Sequence, residues 1–244
     1  GEAKRDYPAS IFHQSPWYED WNYLESYYSR IHVAIHNGKP ECRLLVVSPI
    51  ESVWSRAYSG AFRWLFAKDE ELVRLEKQYV EVFHGLMDHR IDFDYGEEDI
   101  CSRHARVENG ILYVGNAAYS KVLVAGVDTM RASTLALLKE FASQGGEVIF
   151  AGEIPGYVDS DKSDLVKEFA AQGVDYETWK KTAEKKAIVC IPWEEDALVS
   201  VCRTGHEISI QAAEEGQKPV VFAQSFDVEG GRLVMLLILG RDCG

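Results

Sequence analysis

The sequence predicts an α/β protein: a doubly wound, mostly parallel sheet over 41–190, preceded by a linker and aromatic helix over 1–40 and followed by a β-rich extension over 191–244. Two patterns carry this reading. Short, unbroken apolar runs alternate with amphipathic helices through the middle of the chain, as in parallel sheets with both faces covered. After Lys186 the helices stop and several short β-rich runs follow one another.

Ser15-Pro16 reads as a helix start, a hydroxyl cap with proline at the first helical position. Glu19 and Asp20 place negative charge in the first turn, where the helix dipole favours it. Trp21, Leu24, Tyr28, Ile31 and Ile35 recur at three- and four-residue steps as one apolar stripe. Gly38 is expected as the C-terminal cap, with Pro40 preventing continuation. Arg43 to Val47 is apolar without alternation, the pattern of a strand buried on both faces.

From Asp69 to His89 a helix is expected, with Leu72, Leu75, Tyr79, Val82, Phe83 and Leu86 on one face. Ile91 to Tyr95 follows as a strand closed by Gly96, and Arg106 to Val114 as a hairpin turning on Asn109-Gly110. Lys121 to Gly126 and Glu147 to Gly152 are further buried strands, separated by a helix over Ser133 to Gln144 capped by Gly145-Gly146. The phrases at 140–145 and 168–173 are nearly identical and read as two helix ends sharing one type of glycine cap. The expected β-rich runs after Lys186 are Ala187–Pro192, Leu198–Arg203, Glu207–Gln211, Val220–Ser225 and Arg232–Leu239, the last introduced by a Glu229-Gly230-Gly231 turn.

A chain of 244 residues, 46% hydrophobic and 27% charged, has the composition of an ordinary globular protein. The net charge of −13 repels a phosphate backbone, so no nucleic-acid partner is expected. The apolar run Val234–Leu239 is far too short to cross a bilayer, so no membrane partner is expected either. No signal peptide is visible, and Gly1 in place of methionine is expected of a piece cut from a longer protein. Cys42, Cys101, Cys190, Cys202 and Cys243 are odd in number and match no zinc or redox spacing, so mostly free thiols are expected.

Ligands of open parallel sheets bind beyond the carboxyl ends of the strands. Glu51, Asp94, Glu97, Asp128 and Glu153 follow expected strands and form a candidate acidic rim for sugar hydroxyls or a cation, weighed against the plain polarity of loop ends. His13, Gln14, Trp17, Tyr18 and Trp21, joined by Trp54, form a candidate sugar- or interface-binding aromatic set. Eight of the first 28 residues are aromatic, more than one helix stripe uses, so self-association into a homo-oligomer is expected. Cys101 and His104 offer a thiol and an imidazole, but the acidic stretch before Cys101 raises its pKa and opposes a nucleophile. Ser48 to Ser55 lacks glycine and carries Glu51, so no phosphate-bearing cofactor is expected there. His84 and His89 have no carboxylate at metal spacing, and no metal is expected.

His13-Gln14-Ser15-Pro16-Trp17, Gly38-Lys39-Pro40, Ser48-Pro49-Ile50-Glu51-Ser52, Asp92-Phe93-Asp94 and Gly145-Gly146 occur in this order over 12–158. Together they resemble the segment after the catalytic barrel in the family 106 α-L-rhamnosidase-like group, and more distantly the family 42 β-galactosidases. Where that pattern has a Trp-Trp pair, this chain has Trp17-Tyr18. The resemblance implies a flavodoxin-like, class I glutamine amidotransferase-like fold, which serves trimerisation in family 42. It implies a non-catalytic accessory domain of a carbohydrate-cleaving enzyme, with the missing barrel as its partner. The catalytic acids of these families lie in the barrel, so none is carried to a residue here. The alternative is a self-contained enzyme or small-molecule binder of the amidotransferase-like fold, using Cys101, His104 and the acidic rim.

Overall fold

The computed structural model describes residues 13–64, 66–182, 186–205, 207–210 and 220–239. The chain divides into two units, one of Gly1–Pro40 with Ser225–Val234 and one of Glu41–Gln224 with Met235–Gly244. The larger unit is built on six strands: β1 (Leu44–Val47), β2 (Phe93–Gly96), β3 (Lys121–Ala125), β4 (Glu147–Ala151), β5 (Val174–Asp175) and β6 (Ile188–Ile191). They lie in the order β5-β6-β4-β3-β1-β2, and every pair is parallel.

Successive side chains of a strand point to opposite faces, and here both faces are filled. Leu45, Val47, Val122, Val124, Val148 and Phe150 share one core with Leu135, Leu138 and Phe141 of α5 (Ala132–Ser143) and Val166 and Phe169 of α6 (Leu165–Ala170). Leu44, Val46, Leu123, Ala125, Ile149 and Ala151 share the other with Val82 and Leu86 of α3 (Glu70–Met87) and Ala197, Leu198, Val199, Val201 and Cys202 of α8 (Glu195–Cys202). Burial on both sides is the physical reason these strands are apolar without alternation. The remaining helices are α1 (Trp21–His36), α2 (Ile50–Arg56), α4 (Glu98–His104) and α7 (Tyr176–Lys181). Antiparallel pairs decorate the sheet: 62–63 with 66–67, the three-stranded meander 105–119, and 157–158 with 161–162.

Two turns follow from backbone chemistry. Asn109 and Gly110 both have left-handed φ, 54° and 74°, as a two-residue type I′ hairpin requires. At the end of α5, Gly145 has φ 93°; its N–H bonds to Ala142 O at 3.0 Å and that of Gly146 to Phe141 O at 2.9 Å. That is a Schellman cap, and it satisfies carbonyls the helix leaves open. Gly173 differs from its sequence counterpart Gly145: it has no left-handed φ, and a Cβ there would lie 2.6 Å from the backbone oxygen of Ile188. Close approach to β6 requires this glycine, rather than a shared cap.

Three other expectations are corrected. Leu198–Arg203 is not a β-run: 195–202 is helix α8, whose Ala197, Leu198 and Val201 recur at helical spacing on one buried face. A short apolar run fits either period; Glu195 and Asp196 in the first turn were the helix signal. Residues 207–210 form no strand, and Gln211 lies outside the described residues. Helix α1 starts at Trp21 with Asp20 as N-cap, while 13–20 form turns with Tyr18 N–H bonded to Ser15 O at 3.0 Å. Its C-cap is Asn37, and Gly38 answers to packing instead: a Cβ there would meet Phe226 Cβ at 2.7 Å.

In the smaller unit α1 has no buried residue, and Tyr28 of its expected stripe is 63% exposed. Lys39 and Pro40 pair antiparallel with Asp227 and Phe226. The strands Val220–Val228 and Gly231–Leu239 lie side by side in that sheet. Cys42, Cys101, Cys190 and Cys202 are free thiols, and Cys243 lies outside the described residues, as do Tyr7 and Phe12. Among the described residues no helix is long and apolar enough to cross a membrane.

Candidate functional site

From β1 the chain runs outward to β2 and then returns to β3 on the other side of β1. The carboxyl ends of β1 and β3 therefore border the crevice where such sheets admit ligands. In this protein side chains of the chain itself occupy that position.

Helix α2 begins directly after β1 and sets Ser52 fully inside. After β3 the chain turns at Gly126, φ 63°, and the N–H groups of Asp128 and Thr129 both donate to Ser52 Oγ, at 2.9 and 3.2 Å. The same hydroxyl faces Thr129 O at 3.4 Å. With its hydroxyl committed to backbone, Ser52 is a splice between α2 and this turn and has no geometry for attack on a substrate.

The turn aims Asp128 at two guanidinium groups. Arg56, one helical turn beyond Ser52, reaches Asp128 Oδ2 at 2.8 Å through Nε. Arg74 of α3 reaches both carboxylate oxygens, at 2.8 and 2.7 Å, while also holding Glu71 at 3.0 Å and Gln78 at 2.8 Å. The Asp128 side chain is only 15% exposed, so two cations offset its loss of hydration.

A second network centres on Arg131. Its Nε meets Glu51 at 2.5 Å and its Nη1 meets Asp99 at 3.0 Å. Its backbone N–H donates to Glu98 Oε2 at 2.8 Å. Glu98 is buried, and its Oε1 has no hydrogen-bond partner among the described residues. Burial pushes its carboxyl pKa up and the nearby Glu51 adds to this, against Thr134 and the Arg131 N–H and charge, which pull it down. Asp99 shifts the other way: despite some desolvation, Arg103 and Arg131 hold it below the usual carboxylate range.

The acidic residues expected to share one rim are thus dispersed into separate roles. Glu51 and Asp128 do lie at the crevice, each neutralised by arginine. Glu97 caps α4, accepting the N–H groups of Asp99 at 3.0 Å and Ile100 at 2.8 Å. Asp94 sits within β2, opposite Leu45, and accepts the Tyr119 hydroxyl at 2.8 Å. Glu153 is exposed in the bend after β4. Trp54 is exposed on α2. In the smaller unit His13, Gln14, Trp17 and Tyr18 are exposed, and Trp17 and Trp21 border a shallow depression with Asp20, Tyr23 and Leu24.

Sequence reasoning passed over Ser52, Arg56, Arg74, Glu98, Asp99 and Arg131. The four-residue spacing of Ser52 and Arg56 places both on one side of α2, but nothing local names Asp128 as their partner. Cys101 faces the core, and burial with Glu97 and Glu98 nearby pushes its thiol up to about 11, while His104 is exposed at the end of the same helix. Among the described residues no group of three or more His, Cys, Asp or Glu is placed to hold a metal. The geometry at the crevice is that of a cross-braced joint: paired charges, a buried hydroxyl splice, and neither a histidine nor a cysteine among the bracing residues.

No protein-family model matches the chain, and no curated protein matches it. Among solved structures, the rhamnosidase from Novosphingobium sp. PP1Y shares the fold, with TM-score 0.51 and 12% identity over 94% of this chain. This chain spans 20% of the length of that rhamnosidase. The exo-carrageenase GH42 from Bacteroides ovatus aligns with 85% of this chain and 23% of its own, at TM-score 0.43 and 10% identity.

Proposed function

We propose that this chain is a non-catalytic accessory domain of a carbohydrate-cleaving glycoside hydrolase. The observation that carries the reading is the filled crevice: the ligand position of the sheet is braced by Arg56–Asp128–Arg74 and Glu51–Arg131–Asp99. The fold shared with a fifth of a rhamnosidase supports the parentage. The strand order supports a flavodoxin-like, amidotransferase-like domain: β2-β1-β3-β4-β6 follows the flavodoxin pattern, with β5 added at the edge.

In this role the domain holds a catalytic barrel, or a second copy of itself, through exposed aromatics such as Trp17 and Tyr18, and supplies no reacting group. Purified chain incubated with aryl rhamnosides and aryl galactosides is expected to release no phenol above background. Turnover that survives repurification would overturn the reading. The competing enzyme reading needs a reactive Cys101, and the burial of that thiol argues against it. Iodoacetamide is expected to label Cys101 in the folded chain more slowly than a free thiol peptide at neutral pH.

A further inference from the structure

A cavity of about 380 Å³ opens beside α3 and the start of α8, beyond the carboxyl ends of β4 and β6. This volume lies at the lower end of the range for small-molecule sites and suits a ring-sized ligand. Its aromatic wall is Trp193. The indole packs over Gly152, whose φ of 73° and missing side chain make the space: a Cβ there would lie 2.9 Å from the ring. The indole N–H donates to Glu81 at 2.9 Å, fixing the ring orientation before any ligand arrives. Val82, Pro192 and Leu198 extend the apolar lining.

The polar lining is one-sided. Glu81, Asp88, Glu194 and Glu195 contribute four carboxylates and His84 an imidazole; among the described residues no lysine or arginine lines the cavity, and Lys77 meets Glu81 at 3.7 Å from outside it. Carboxylates only accept hydrogen bonds, so the complementary ligand must donate them and carry no negative charge. A preformed aromatic face asks for a flat apolar face on the same ligand. A sugar ring meets both demands, with C–H bonds on its face and hydroxyls at its edge.

We propose that this pocket is a binding site for a neutral monosaccharide unit, with Trp193 as the stacking platform and the carboxylates of Glu81, Asp88 and Glu194 as hydroxyl acceptors. The site is separate from the braced crevice, and it stands or falls independently of whether the chain is catalytic.

Saturation-transfer NMR on the full chain tests it, with L-rhamnose, D-galactose and D-glucose as neutral probes, D-galacturonate as the anion and agmatine as an organic cation. Transfer to ring C–H protons of at least one neutral sugar is expected, with none to galacturonate. The signal should fall at least tenfold in Trp193→Ala. It should fall likewise in the double variant Asp88→Ala, Glu194→Ala, which removes only exposed side chains and keeps the fold intact should Trp193→Ala unfold. Transfer to no neutral sugar, transfer to agmatine alone, or a neutral-sugar signal unchanged in the double variant would each overturn the proposal.

Discussion

Replacing Ser52 by alanine should destabilise the larger unit far beyond what the loss of one oxygen suggests. The hydroxyl is fully buried and accepts two backbone N–H groups, from Asp128 at 2.9 Å and Thr129 at 3.2 Å. Alanine keeps the packing but leaves both donors without an acceptor. An orphaned buried donor costs about 1–3 kcal/mol, so partial relaxation of the turn sets the expected loss at about 2–4 kcal/mol. For a protein of this size that is a fall in Tm of about 5–15 °C. Urea unfolding followed by tryptophan fluorescence is the assay: the midpoint should drop with the slope unchanged, since the surface exposed on unfolding is the same. Ser143→Ala is the control; that hydroxyl is exposed and bonds only within its own helix, so it should change stability by less than about 0.5 kcal/mol. A Ser52→Ala protein within about 0.5 kcal/mol of wild type would refute the splice, because the turn would then hold itself without the serine.

Gly146→Ala should cost about 2–3 kcal/mol, since its Cβ would lie 2.2 Å from the fully buried ring of Phe141. Gly115→Ala has open space but a φ of 57°, so it should cost only about 1 kcal/mol; equal thermal shifts for the two would show that sterics at Phe141 do not decide the outcome. Glu98 has a folded pKa raised above its ordinary 4.5, so its contribution is fully present below that value and is lost as pH rises through the folded pKa. Glu98→Gln should therefore flatten the decline in stability above pH 4.5 and be neutral or stabilising at pH 7; urea midpoints across pH would expose a variant that declines as steeply as wild type. With Trp17 53% and Tyr18 45% exposed, the chain should self-associate at tens of micromolar, and the double variant Trp17→Ala, Tyr18→Ala should shift it toward monomer. Sedimentation showing a wild-type monomer, or an oligomer that the variant leaves unchanged, would count against that expectation.

The elements set by local chemistry were legible in the sequence. Asn109-Gly110 marked a hairpin turn, Gly145-Gly146 a helix cap, and the unbroken runs of β1, β3 and β4 a sheet covered on both faces; the structure shows the turn as type I′ and the cap as a Schellman motif. Each is dictated by backbone dihedrals or by period, which need no distant partner. Where the signal was shorter than one period the reading went astray: 198–202 satisfies strand and helix alike, and contact with the core beside α3 decided for helix.

The site was legible only in its residue types. Glu51 and Asp128 were identified as acids beyond strands, but whether they faced a ligand or an arginine is a long-range matter. Arg56 and Arg74 lie 72 and 54 residues from Asp128, and Arg131 lies 80 from Glu51. Ser52 carries no mark distinguishing it from Ser48 or Ser55 until the turn after β3 is laid against it. The same holds for Trp193, which becomes a pocket wall because the bend after strand β4 passes beneath it at Gly152. Sequence alone determined the Asn109-Gly110 turn, the Gly145-Gly146 cap and the runs of the central strands, since these arise within a few residues, while the caps expected at Ser15 and Gly38 gave way to Asp20 and Asn37. Tertiary structure alone decided which charges are neutralised and which cavity stays open, because both depend on groups the chain brings together across tens of residues.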